Sequence, residues 1–411
     1  MKNKDLLIKY ASLIAHTGAN IQKGQEVVIN ASIKAYDFIL LLVEACYKEG
    51  ASKVRVKWSD PELTTLHYKY QEKEALAHLT SFDEEEYRYM IKNLPVLIYI
   101  ESDSPDALNK VDGKKMSETS KVLRSEIRKF RDEMDDKYQW CIAGYPSVEW
   151  AKEVHPELNE DEAFNKLLEE ILYVSRVDKD SDPNKNWEIH DKNLTSLSNK
   201  LNSLNLVKLE YSSSNGTNFF LELNPKVKWE GGGEFTSLSK IYFNPNIPSE
   251  EVFTTPIKGK AEGIVYSSKP LSYNGYLIED FYIKFKNGKA IECKARKNEE
   301  ILKEIISSDS NSCYLGECAL ISYHSPISLL NTVFLNTLYD ENASCHLALG
   351  MGFSNLYPDY EKYSLEELDK LGINKSNIHV DFMIGTKDLN IIGTDINGNK
   401  HQIFKDGDFV I

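Results

Sequence analysis

The chain has 411 residues, 41% hydrophobic and 27% charged, with 63 acidic against 49 basic side chains and a formal net charge of -14. That length is enough for two or three domains, each with its own core. The acidic balance argues against nucleic acid and anionic membrane surfaces as main partners, because binding phosphates needs clustered Lys and Arg, and no run reaches the ~18 apolar residues of a membrane helix.

The opening Met1-Lys-Asn-Lys-Asp is not followed by the apolar segment and small-residue cleavage site of a signal peptide. Residues 4–22 carry apolar positions at helical spacing and end before Gly24. Residues 26–30 form a short apolar run read as a buried strand. Residues 36–48 return to helical spacing, and 53–58 alternate as a second strand. Helical patterns fill 62–79 and 83–92. Residues 95–100 are apolar throughout, as a central strand would be. A charged helix is expected over 116–134, a fourth strand over 139–143, and two more helices follow to Val174. Strands alternating with helices predict an α/β domain with a mostly parallel sheet covered on both faces. This half has no Gly-x-Gly-x-x-Gly or phosphate-loop pattern.

The polar stretch 177–186, with Pro183, places the domain boundary between 183 and 184. Domain 1–183 is then the α/β domain, and 184–411 a mixed α+β domain rich in antiparallel strands. A helix over 187–203 leads into a strand at 206–211. The Asn215-Gly216 turn and a second strand at 219–223 complete a hairpin. Gly231-Gly-Gly233 reads as a flexible loop, and 262–295 as further strands around an Asn287-Gly288 turn. The six cysteines (Cys46, Cys141, Cys293, Cys313, Cys318, Cys345) form no Cys-x-x-Cys pair and read as buried free thiols in a reducing cytoplasm.

The chemistry concentrates late in the chain. In Tyr339-Asp-Glu-Asn-Ala-Ser-Cys-His-Leu-Ala-Leu-Gly350, Glu341 and His346 stand among small and apolar residues, where a charged group is costly unless paired. His379 and Asp381 alternate in His379-Val-Asp-Phe-Met-Ile384, so a strand points both to one face and turns Val380, Phe382 and Ile384 to the core. Glu317 follows Gly316 within an apolar run. Glu251 lies in Pro248-Ser-Glu-Glu-Val-Phe, where Ser249 also fits a helix cap. Singly, each has an ordinary reading: an exposed polar edge, a turn acid, a core histidine, a helix-start carboxylate. Together they form the carboxylate and imidazole set that suits zinc and similar divalent ions.

The string Asn246-Ile-Pro-Ser-Glu-Glu-Val-Phe-Thr-Thr-Pro256 resembles the Asn-(Ile/Leu)-Pro-x-x-Glu-Val-Phe-Thr signature of peptidase family M29, the thermophilic-type metalloaminopeptidases (aminopeptidase T and S type). Leu315-Gly-Glu317 and the segments 336–350 and 378–385 are similar to that family in order and spacing, and the resemblance spans the whole chain.

The resemblance implies a metal-dependent aminopeptidase acting on short peptides with a free N-terminus. It implies two divalent ions (Zn, Co, Mn or Mg) bound by Glu251, Glu317, Glu341, His346, His379 and Asp381, with Glu317 as the bridge. Paired ions activate a water, polarise the scissile carbonyl and hold the substrate amine. The proton carrier is left open between carboxylates such as Glu251 and Glu341, and the resemblance implies Tyr357 as a donor to the oxyanion. Phe353 is the alternative match to the family's tyrosine. A homodimer with enclosed active sites is also implied. Two rival readings stand beside it: an amidase or esterase of other specificity that uses the same ligands, and a non-enzymatic α/β binding protein in which the six acids and histidines are ordinary surface groups.

Overall fold

The computed structural model describes residues 3–273 and 276–411. Met1 and Lys2 of the basic start, and Asn274 and Gly275 within the strand-rich stretch 262–295, lie outside the described residues. The chain forms two compact units: Met1–Glu188 with Gly233–Pro248, and Ile189–Gly232 with Ser249–Ile411.

The first unit is built on a parallel sheet in the order Asn246–Ile247, Trp140–Gly144, Val96–Glu101, Glu26–Ser32, Lys53–Ser59. The apolar run at 96–100 is its central strand, with Val96 and Ile98 fully buried. Helix Tyr36–Lys48 buries Phe38, Ile39, Leu42, Ala45 and Cys46 along one stripe, as its spacing requires. The expected helix over 4–22 is α-helical only over Lys4–Ser12. It then widens to a π-helical turn, Leu13–Gly18, that buries the consecutive Leu13, Ile14 and Ala15. The fifth strand comes from far along the chain, because Asn246–Ile247 pairs with Ile142 and Ala143.

Helix Pro183–Ser203 begins inside the polar stretch 177–186, with proline at its first position and the Asp182 carboxylate accepting from the Asn184 N–H.

The second unit is antiparallel. The 206–223 hairpin forms as Leu206–Ser212 and Asn218–Leu223, part of a nine-stranded sheet among the described residues. A five-stranded sheet runs in the order His379–Met383, His346–Gly350, Leu315–Leu320, Val252–Thr254, Glu230–Gly231. Leu209, Leu221 and Phe285 of the larger sheet share one core with Leu347, Leu349, Val380 and Phe382 of the smaller. Two local expectations change here. Of the expected Gly231-Gly-Gly233 loop, Gly231 instead ends the edge strand Glu230–Gly231, held by pairing to Val252 and Phe253. The Ser249–Glu251 segment caps no helix and leads into a strand instead.

Candidate metal centre

One face of the five-stranded sheet packs into the core. On the other, alternation brings His346, Ala348 and Gly350 up from one strand and His379, Asp381 and Met383 from its neighbour. The register pairs His346 with Met383, Ala348 with Asp381 and Gly350 with His379. Glu317 reaches this face through an irregularity. The pairing slips between Leu315 and Glu317, so these residues, two apart, point to opposite faces. Gly316 at the bulge lies against the neighbouring loop: a Cβ there would sit 2.1 Å from the Met351 carbonyl oxygen. Gly350, with φ +104°, similarly lets the Ile378 carbonyl come within 2.1 Å of where a Cβ would be.

The side chains converge. His346 Nε2 is 3.3 Å from Glu251 Oε2 and 3.9 Å from Glu317 Oε1. His379 Nε2 is 3.0 Å from Glu317 Oε2 and 3.3 Å from Asp381 Oδ1. Two groups of three result, Glu251–Glu317–His346 and Glu317–His379–Asp381, each with its donor atoms within 4.8 Å of one another. Glu317 belongs to both. Glu341 ends the short helix Thr337–Glu341, and with Asp381 it lines a cavity of about 10 Å³ beside the groups, room for about one water. Both imidazoles are oriented from behind. His346 Nδ1 faces the carbonyls of Glu341 (3.0 Å) and Ser344 (3.2 Å), and His379 Nδ1 faces that of Met351 (2.8 Å). Nδ1 therefore carries the hydrogen in the neutral ring, and the Nε2 lone pair points at the carboxylates.

The electrostatics are those of a site crowded with buried anions. Burial lifts the Glu317 carboxyl to about 7, against the pull of the His379 hydrogen bond. Burial and then the Asp381 charge push Glu341 well above its ordinary value. Burial acts on Asp381 too, but the facing charges of His379 and His346 outweigh it and hold the group at about 2. Burial works against protonating His346 and His379, yet both are raised well above an ordinary imidazole by the carboxylates they face. Asp381 Oδ1 is buried and, despite lying near His379, makes no hydrogen bond of acceptable geometry. Oxygen and imidazole donors, more negative than positive and partly unsatisfied, suit a divalent cation.

Tyr357 stands apart from these contacts. It is buried in a small apolar cluster with Val227, Leu356, Leu368 and Ile373, its ring against Tyr363. The ring that touches the site is Phe353, 5.3 Å from the His379 imidazole, and Phe353 packs on the cluster that contains Tyr357. Sequence reasoning missed Asn342, which is fully buried and links the chain around Glu341 to that before Glu251. Its only signal was an amide side chain inside the Glu341–His346 run.

This donor set on an antiparallel sheet is that of a divalent-metal site. The profile of the thermophilic metalloprotease family (M29) matches residues 3–409. Aminopeptidase AmpS of Bacillus subtilis is 40% identical over 97% of both chains. Aminopeptidase 2 of Geobacillus stearothermophilus is 37% identical over 98% of this chain and 97% of its own. The solved structure of wild-type AmpT from Thermus thermophilus superposes with a TM-score of 0.90 at 31% identity, covering 99% of this chain and all of its own. The chain belongs to the M29 family and is a metal-dependent peptidase.

Proposed function

We propose that the protein is an aminopeptidase that releases the first residue of short peptides and works with two divalent ions. Glu317 supports two ions over one, since it is the member common to both three-residue groups. In this reading Glu251, Glu317 and His346 hold one ion, Glu317, His379 and Asp381 the other, and Glu341 completes the set. Bound there, zinc, cobalt, manganese or magnesium would supply Lewis-acid chemistry, polarising the scissile carbonyl and acidifying water.

The chain's own groups do the rest. The Met351 carbonyl keeps His379 Nε2 turned inward, and the Glu341 and Ser344 carbonyls do the same for His346. Glu251 accepts a proton from the attacking water and returns it to the leaving amine, so that one water is consumed per bond broken. Tyr357 is proposed as the donor to the developing oxyanion, which requires it to turn out of its apolar cluster. We further place the enzyme in the cytoplasm, in keeping with six free cysteines. We expect it to act as a homodimer, a state that sedimentation would test.

The experiment is hydrolysis of aminoacyl-p-nitroanilides and their N-acetylated counterparts, by chelator-stripped protein with and without added Zn, Co, Mn or Mg. Metal-restored cleavage of the free-amine series alone is the expected result. Equal cleavage of the blocked series would replace the aminopeptidase with a general amidase.

A further inference from the structure

Behind the cluster lies a fully buried amide whose contacts join two of the segments that carry it. Asn342 Oδ1 accepts from the Glu250 backbone N–H at 2.8 Å. Its Nδ2 donates to the Leu338 carbonyl at 2.9 Å and lies 3.5 Å from Glu341 Oε1. One side chain thus clamps the end of helix Thr337–Glu341 to the chain just ahead of strand Val252–Thr254. The helix end carries Glu341, and the carbonyls of Glu341 and of Ser344, three residues beyond it, orient His346. The other segment carries Glu251, the carboxylate 3.3 Å from that same imidazole. The two segments are some ninety positions apart in sequence and share no strand pairing with each other.

We infer that Asn342 is a positioning residue for metal binding, fixing Glu251 against Glu341 and His346. This rests on reading the six acids and histidines as ligands. An amide fits the place because it accepts from one main-chain group and donates to another at once. Alanine would do neither, leaving the spacing of Glu251 and Glu341 to the flexibility of two loops. Groups that orient ligands from behind typically account for 10–100-fold in metal affinity.

The test measures zinc and manganese dissociation constants by competition with a chelator, together with unfolding temperatures of the metal-free proteins. The proteins are wild type, Asn342→Ala, Asn342→Ser and Ile403→Ala. Ile403 is fully buried on strand Lys400–Lys405 of the larger sheet and serves as a destabilised control. Asn342→Ala is expected to bind metal 10–100-fold more weakly, while Ile403→Ala unfolds at lower temperature with wild-type affinity. Asn342→Ser, which keeps a hydroxyl, should fall between, and it is read in place of the alanine variant if that one does not fold. Wild-type affinity in the Asn342 variants, or an equal loss in Ile403→Ala, would overturn the role of Asn342 alone. Absence of metal binding by the wild type would overturn the ligand reading, and this inference with it.

Discussion

Replacing Glu317 with Gln should make the metal-free protein more stable and the metal-loaded protein less so. The Glu317 carboxyl is lifted from 4.5 to about 7, chiefly by burial. Its ionised form is therefore disfavoured in the fold relative to the unfolded chain, and the gap corresponds to about 3 kcal/mol. A raised carboxyl costs nothing below pH 4.5. The penalty grows between 4.5 and 7 and stays constant above. Glutamine mimics the protonated acid, so its advantage should be absent at pH 4.5 and reach roughly 3 kcal/mol at pH 8. For a unit of about two hundred residues this is roughly 6–12 °C in unfolding temperature. Added metal should reverse the order. The wild type gains about 4.1 kcal/mol when free metal is a thousand times its dissociation constant, more than the variant's advantage of about 3 kcal/mol, and a variant without the shared carboxylate gains much less. Differential scanning calorimetry of chelated and metal-loaded proteins at pH 4.5 and 8 reads all four cases. A metal-free Glu317→Gln protein that melts below wild type at pH 8, or that gains as much from metal, would refute the reasoning.

Gly316→Ala should abolish metal binding while leaving the circular dichroism spectrum intact, because its Cβ would fall 2.1 Å from the Met351 carbonyl oxygen and 2.5 Å from that of Gly350, both of them backbone. Unchanged metal stoichiometry would show that the bulge can yield. Tyr357→Phe should lower kcat by roughly 100–1000-fold with unchanged metal content if the hydroxyl reaches the oxyanion; an unaltered kcat leaves Tyr357 as a packing residue beside Tyr363. Asp388 is held well below the usual carboxylate range by Ser214, Thr386 and Ser213, which tie the 206–223 hairpin to the chain after Gly385. A lowered carboxyl contributes stability that is full above its ordinary value of 3.8 and fades as pH falls through its lowered one. Asp388→Ala should therefore unfold at lower temperature than wild type at pH 7, with a gap that narrows in strong acid; a gap independent of pH would discount the charge.

The alternating patterns carried much of this architecture. The strands near 26–30, 95–100 and 139–143 form because a buried parallel strand must be apolar along most of its length, and 53–58 forms as the half-exposed edge strand its alternation marked. The spacing of His379 and Asp381 put both on one face and sent Val380 and Phe382 into the core, since strand side chains alternate whatever surrounds them. The six candidate residues stood out because acids and imidazoles in apolar runs are conspicuous, and because long motifs resemble a known family; the fold brings five of them into the two groups of three. Other features were decided only by the fold. Simple alternation would give Leu315 and Glu317 the same face, and a register slip that depends on the loop packed against Gly316 separates them. Residues 246–247 join a sheet whose other strands end before residue 145, a pairing no local pattern encodes. The clamp at Asn342 and the placing of Phe353 rather than Tyr357 against His379 are likewise contacts between distant segments. Sequence determines which face a side chain takes within its own element; only tertiary packing determines which distant groups that face will meet.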